Sequence, residues 1–272
     1  MFWNTGRGRV LEPLAELCAE WLVDVVILAE PAIELGTLLT TLHRATGRVF
    51  VRANPWAKGK IVVVTALPFD RFRPTSDGVD FSFVHFTPPL GPSVLVGGVH
   101  LPSRVSQSQD EQVFGAVRMR DAIEAAERTS QHTRTVVIGD FNMNPFDPGV
   151  VAADAFHAVC DRRIALRGSR TVRGEDRRFF YNPMWNLLGD APPDPPATYY
   201  RADAGHHVQF WEMFDQCLVR PELIPFLPEN GVQIVSSTRN HKLADDRGRP
   251  RGREYSDHFP ILLTLKKGAS ES

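Results

Sequence analysis

The run Val136–Ile138 is short, apolar and β-branched, so it reads as a buried strand. It passes Gly139 and then presents Asp140 and Asn142, with Phe141 between them. In an extended chain residues i and i+2 point the same way, so the acid and the amide project together while Phe141 turns back to the core. Gly139 lets another group approach the backbone closely. Read alone, the pair could also cap a helix near residue 148. What separates the two readings is whether other strands end in the same way.

The rest of the chain alternates short strands with helices. Strands are expected at 1–4, 23–30, 48–51, 60–66, 79–86, 94–100, 135–140, 197–200, 214–219, 232–236 and 259–265, and helices at 8–22, 31–47 and 107–129. Pro31 is expected in the first turn of the second helix. The four strands between 48 and 100 follow one another through short Pro/Gly turns, which favours antiparallel pairing. Residues 160–196 read as irregular, and the Pro-rich 191–197 as a loop inside one domain covering 1–272. Mixed strands with helices on their outer faces imply a layered α/β architecture. No run of about 18 apolar residues occurs, so no membrane span is expected. Cys18, Cys160 and Cys217 are odd in number and far apart, which suits reduced thiols better than a zinc site. With no evident signal peptide, a cytoplasmic protein is expected.

Polar strand ends recur. The run 23–30 ends in Glu30, the run 94–100 in His100 and the first strand in Asn4, while Asp215 heads the strand at 214–219 and Asp257 and His258 precede the last strand. Each has an ordinary reading, as a helix first-turn acid, a hydrogen-bonded structural histidine or a solvated strand start. If one sheet edge collects all these ends, carboxylates, amides and imidazoles converge on a single cleft. Oxygen ligands such as Glu30, Asp257 and Asn4 favour a hard cation, Mg²⁺ or Mn²⁺. Imidazoles beside carboxylates bind anionic oxygens or move protons. A metal with a protonated histidine is what phosphodiester hydrolysis needs, since charge collects on the phosphate oxygens and a water must be activated.

At these residues the sequence resembles the endonuclease/exonuclease/phosphatase superfamily, of which pancreatic-type deoxyribonuclease is a member. The resemblance rests on WN at 3–4, LAE at 28–30, GGVHLPS at 97–103, GDFN at 139–142, FDQCLV at 214–219 and SDH at 256–258, in that order, and spans residues 3–265. It implies a four-layered α/β sandwich, two mixed sheets face to face with helices outside. It also implies that Glu30 is the principal Mg²⁺ ligand, with Asn4 and Asp257 nearby. Asp140 would orient or deprotonate the attacking water, and Asn142 would hold that water or a phosphate oxygen. His258 would bind phosphate with Asp215 behind it, and His100 would touch phosphate or protonate the leaving oxygen. Attack would be in line, without a covalent enzyme intermediate. His100 stands where abasic-site endonucleases typically carry Asn, which argues against a dedicated abasic-site enzyme. No lipid-binding segment or extra domain supports a sphingomyelinase.

The substrate-gripping residues are expected among two arginine-rich stretches, 162–178 and 247–253, the latter placing Arg249, Arg251 and Arg253 just before SDH. Guanidinium groups match phosphate oxygens, so these stretches could line the cleft and hold a nucleic-acid backbone. Phe179, Phe180, Tyr181, Trp185, Tyr199, Tyr200 and Trp211 lie among them as candidates for stacking on bases. A core role for the aromatics and solvated faces for the arginines are the ordinary alternatives. The formal net charge of −1 supplies no global field for a polyanion, so any grip must be local. The leading expectation is a Mg²⁺-dependent nuclease acting on DNA, with RNA in the same chemistry. The alternatives are a phosphatase for a small phosphorylated molecule or lipid headgroup, and an inactive nucleic-acid-binding protein.

Overall fold

The computed structural model describes every residue except 7, 58, 104–107, 191–193, 204–207 and 267–272, so parts of the expected third helix and of the Pro-rich loop lie outside the described residues. The chain opens with β1 (Phe2–Asn4), α1 (Leu11–Glu20), β2 (Val25–Ala29), α2 (Leu35–Thr46), β3 (Val51–Arg52) and β4 (Ile61–Thr65). It continues through β5 (Phe72–Asp77), β6 (Phe81–Phe86), β7 (Val94–His100), α3 (Gln109–Ser130) and β8 (Thr135–Asp140). Next come α4 (Pro148–Val151), β9 (Ala158–Val159), α5 (Arg162–Ala165), β10 (Ser169–Val172), β11 (Glu175–Arg178) and β12 (Phe180–Tyr181). The last part holds β13 (Tyr199–Tyr200), β14 (Trp211–Glu212), β15 (Asp215–Val219), β16 (Val232–Ile234) and β17 (Ile261–Leu263).

Two large sheets result, six strands ordered β16-β17-β1-β2-β4-β3 and seven ordered β5-β6-β7-β8-β15-β12-β9. Both are mixed: β1–β2 and β7–β8 are parallel, whereas β2–β4 and β8–β15 are antiparallel. The period-two alternation of β8 divides its side chains between two cores. Val136 and Ile138 join Ile27 and Val63 between the sheets, while Val137 joins Ala116, Met119 and Ile123 of α3 on the other face. Leu14, Leu17, Leu38 and Leu42 bring α1 and α2 onto the six-stranded sheet. The layers therefore run helix, sheet, sheet, helix, as the expected four-layered sandwich requires. Gly98 lets the sheets approach closely, since a Cβ there would lie 2.6 Å from Ile27 Cγ2 and 2.9 Å from Ile61 Cγ2.

Several elements differ from expectation. β5 has no apolar alternation and contains Pro74, yet it pairs with β6 at the edge of the seven-stranded sheet, with a register shift between Pro74 and Ser76. A sheet edge is where proline and a bulge are tolerated. The four strands read between 48 and 100 pair antiparallel but divide between the two sheets. Residues 160–196 are less irregular than expected. They hold the β10–β11 hairpin, whose turn residues Arg173 and Gly174 both take positive φ, +51° and +82°. Helix α2 starts four residues after Pro31, because the Glu34 carboxylate caps it by accepting the Gly36 and Thr37 N–H groups at 2.9 and 2.7 Å. No helix among the described residues is long and apolar enough to cross a membrane.

Candidate active site

Strand register explains why the polar ends meet. In the seven-stranded sheet His100 lies beside Asp140 across β7–β8, and Asp215 lies beside Asp140 across β8–β15. Three neighbouring strands thus deliver an imidazole and two carboxylates to one edge. In the six-stranded sheet Asn4 pairs with Ala29, so Glu30 follows at the same end. Strand β17 runs antiparallel to β1, which brings Asp257 and His258 back to that end just before it starts. Gly139 is required here, because a Cβ would sit 2.0 Å from Val99 O.

Asp140 is at the centre. Its Oδ1 accepts the Asn142 N–H at 2.8 Å and its Oδ2 accepts from Asn4 Nδ2 at 2.9 Å. Its Oδ2 also lies 3.7 Å from His100 Nε2 and 3.9 Å from His258 Nε2. Glu30 Oε1 faces His100 Nε2 at 3.8 Å. His258 Nδ1 is 2.8 Å from Asp215 Oδ2, and the His258 ring packs against Tyr199 with centroids 4.7 Å apart. Asn142, at φ +50°, donates its Nδ2 to Leu101 O at 2.8 Å, and Gln112 of α3 donates to Asn142 O at 3.0 Å. Asn142 therefore orients the Asp140 carboxylate through its backbone N–H. Glu30 also has positive φ, +49°, a conformation that costs a side-chain-bearing residue about 1–2 kcal/mol.

Protonation states follow from these neighbours. Burial alone would lower the His258 pKa. The Asp215 carboxylate, its hydrogen bond and Asp140 outweigh that and push it up to about 10, so the ring is a cation at neutral pH. Burial pushes the Asp140 carboxyl above the ordinary carboxylate range, against the attraction of His258 and His100 and with repulsion from Asp215 adding to the rise. Burial holds His100 below the usual imidazole value, although Asp140 and Glu30 pull it upward, and the nearby Lys60 adds to the lowering. A base with a raised pKa beside a fixed cation and a neutral imidazole is suited to proton abstraction next to an anionic centre.

The model of the Endonuclease/Exonuclease/phosphatase family matches residues 1–258. The chain belongs to this family. No curated protein matches it by sequence. Among solved structures it is similar to an endonuclease/exonuclease/phosphatase family protein from Bacteroides thetaiotaomicron, with 11% identity, 99% of this chain and 97% of that one covered, and a TM-score of 0.57. It is also similar to the 3′ phosphatase NExo from Neisseria bound to product DNA hairpin, with 15% identity, 97% and 98% covered and a TM-score of 0.55. A third is D. rerio TDP2 complexed with single strand DNA product, with 16% identity, 97% of each chain covered and a TM-score of 0.54. At these identities the likeness is one of fold. The family's enzymes are phosphoester hydrolases, nucleases and phosphatases that use divalent metals.

The donors present fit a hard cation of the kind this family uses. Asp140, Asp215 and His258 offer ligand atoms within 4.8 Å of one another, but the His258 cation hydrogen-bonded to Asp215 makes them an acid–base group. Oxygen donors remain on the other side, where the Glu30 carboxylate is 45% exposed and Asn4 Oδ1 accepts the Gly6 N–H at 3.2 Å. Asp257 is exposed at the same rim, with Oδ1 3.9 Å from where a Cβ on Gly6 would lie. A cleft of about 410 Å³ between α1 and residues 239–241 is lined by none of these residues, and its Glu16 carboxylate is hydrogen-bonded to Thr238 and Asn240.

The arginine stretches sit differently from one another. The β10–β11 hairpin leaves the sheet beside β12, which pairs with Val219, at the opposite end of β15 from Asp215. It does not line the cleft at its root. Phe179, Phe180 and Tyr181 are buried in the core and so cannot stack on bases. Arg249 is held by Asp245 at 2.7 and 3.0 Å and lies over Tyr200, 5.1 Å from the ring centroid. Arg251 binds Ala244 O at 2.8 Å and Glu254 at 3.1 Å, whereas Arg253 is exposed. Sequence reading gave no role to Ser256, Trp3, Gln112 or Lys60. Trp3 Nε1 donates to His258 O at 2.8 Å. Ser256 lies within SDH, two residues before a histidine that heads a strand, and that spacing is the signal for a hydroxyl-closed turn. Lys60 had only its place at a strand start.

Proposed function

We propose that this chain is a divalent-metal-dependent phosphodiesterase, one catalytic domain over residues 1–272, with DNA as its first substrate and RNA within the same chemistry. The observation that carries the reading is the buried Asp140 carboxylate, held by two amide donors and faced by two imidazoles at 3.7 and 3.9 Å. Asp140, with its raised pKa, takes a proton from water, and the oxygen attacks phosphorus in line with the leaving oxygen. Asn4 and Asn142 fix the carboxylate so that it does not reorganise during transfer. The His258 cation binds a non-bridging oxygen while Asp215 keeps its ring charged and aimed. His100 presents Nε2, the nitrogen facing both carboxylates, to a second phosphate oxygen. A Mg²⁺ or Mn²⁺ ion at the Glu30, Asn4 and Asp257 oxygens would neutralise charge on the phosphate and the leaving oxygen. The free thiols Cys18, Cys160 and Cys217 fit a cytoplasmic location.

The test is incubation with supercoiled plasmid, a single-stranded oligonucleotide and bis-p-nitrophenyl phosphate in Mg²⁺, Mn²⁺ or EDTA. Cleavage is expected with either metal, is abolished by EDTA, and falls at least about 100-fold in Asp140→Ala. Intact folding without cleavage of either nucleic acid overturns the nuclease reading. Release of phosphate from phosphomonoesters or inositol phosphates by the same preparation would then mark a phosphatase.

A further inference from the structure

The β13–β14 hairpin puts one tyrosine on each of its faces. Tyr200 lies with Arg249 and Trp211 on one, so strand alternation turns Tyr199 to the other, the His258 side. There its ring packs on the His258 imidazole, 4.7 Å between centroids, and stacks on Phe214 at 5.3 Å. The backbone fixes it as well. Tyr199 forms an antiparallel bridge with His258. The preceding Thr198 accepts the Phe259 N–H at 2.8 Å through its carbonyl and the Asp215 N–H at 3.1 Å through Oγ1. Tyr199 is therefore fastened to both members of the His258–Asp215 pair.

With its ring committed to His258 and Phe214, the group Tyr199 can offer a ligand is its hydroxyl. Tyr199 is only half-buried, and among the described residues its hydroxyl makes no hydrogen bond. Burial raises its pKa, and Asp257, Asp140 and Glu212 add to the rise against Arg201, so it stays a phenol at neutral pH. The hydroxyl thus feels both the base Asp140 and the rim acid Asp257 without donating to either. His258 Nε2 lies 3.9 Å from Asp140 Oδ2, so a phosphate seated between the base, the imidazole and the rim meets Tyr199 on the His258 side. We infer that the Tyr199 hydroxyl donates a hydrogen bond to a non-bridging phosphate oxygen, beside the one bound by the His258 cation, and is a further catalytic residue. The inference rests on the phosphodiesterase reading and adds a neutral donor to the same site. The charge on the equatorial oxygens is what the site must hold in the transition state, and a donor already fixed in place does so without reorganising.

Tyr199→Phe keeps the ring against His258 and Phe214 and removes only the hydroxyl. Its kcat on bis-p-nitrophenyl phosphate and on plasmid should fall by the same factor, about 10–100-fold, at an unchanged thermal melt. Its Kd for orthovanadate, which copies the shape of the transition state, should rise about tenfold in Mg²⁺ by calorimetry. The basic limb of the pH profile of kcat/KM, set by His258, should stay where it is in the wild type. A kcat within about twofold of wild type, or an equal vanadate Kd, would leave Tyr199 a packing role and overturn the inference. So would a loss confined to plasmid, because a sugar alkoxide needs a proton on leaving and p-nitrophenolate does not, which would put the hydroxyl on the leaving oxygen. A displaced basic limb would mean that Tyr199 acts through His258, and a wild type that binds no vanadate would remove the oxygen it is said to hold. Vanadate binding needs no turnover, so the two readings fail separately. Weaker vanadate binding in the variant, with no diester cleaved by the wild type, removes the phosphodiesterase reading and keeps the donor. Diester cleavage undiminished in the variant does the reverse.

Discussion

Ser256 Oγ donates to Asn4 O at 2.6 Å and accepts the His258 N–H at 3.1 Å, so one hydroxyl joins residues from the two ends of the chain. It ties the backbone beside the expected metal ligand Asn4 to the backbone of the phosphate-binding imidazole. Ser256→Ala would leave a buried carbonyl and a buried N–H without that partner, at a cost of about 1–3 kcal/mol. The imidazole would also lose its fixed height above Asp215. The expected outcome is a lower urea midpoint together with about a tenfold lower kcat on bis-p-nitrophenyl phosphate, both largely restored in Ser256→Thr. A fall in stability with unchanged kcat would make Ser256 structural only. The two imidazoles differ in charge because their carboxylates stand at different distances. His258 has a carboxylate in hydrogen-bond contact at 2.8 Å, whereas His100 faces its carboxylates at 3.7 and 3.8 Å and cannot recover what burial takes.

Strands place this site, and they do so through packing at positions that carry no chemistry. Gly98 lets β7 lie against Ile27 and Ile61 of the facing sheet. Gly98→Ala would insert a Cβ 2.6 Å from a branched side chain that cannot swing away, so a loss of about 1–3 kcal/mol is expected, read as a lower urea midpoint at unchanged m-value. An unchanged midpoint would mean that the sheets separate freely there. Much of this was legible in the sequence. Ile61–Thr65 is β-branched throughout and Val25–Ala29 is wholly apolar, and the polar residues at the ends of such runs point to one edge. What stayed hidden has physical reasons. β5 pairs through its backbone at a sheet edge, and pairing there asks little of side-chain pattern. The root of the β10–β11 hairpin could not be placed from its arginines, because charge says nothing about which end of a sheet a segment leaves. The positive φ of Phe210, +65°, has no local sequence signal.

At the scale of the whole molecule the two ends of the central strands have separate tasks. One end of β8 and β15 carries Asp140 and Asp215, and the other leads into Arg220, which donates its backbone N–H to Thr135 O at 2.9 Å. Arg220 is fully buried, its guanidinium bound to Glu127 of α3 at 2.8 and 3.2 Å, to Phe179 O at 3.1 Å, and lying 3.9 Å over Phe180. This ion pair fastens the outer helix layer to the seven-stranded sheet away from the chemistry. Removing one partner strands a buried charge, so Glu127→Ala should cost about 3–5 kcal/mol. Replacing both, as Glu127→Leu with Arg220→Met, removes the desolvated charges together and should recover most of that loss. The folded fraction of either variant should keep its kcat within about twofold, because additive behaviour is expected for distant sites that share no partner. Urea denaturation and active-site-normalised turnover check both halves of this expectation. A large kcat loss in folded Glu127→Ala would mean that β8 and β15 transmit strain along their length to Asp140, and that the two ends of the sheet are one mechanical unit.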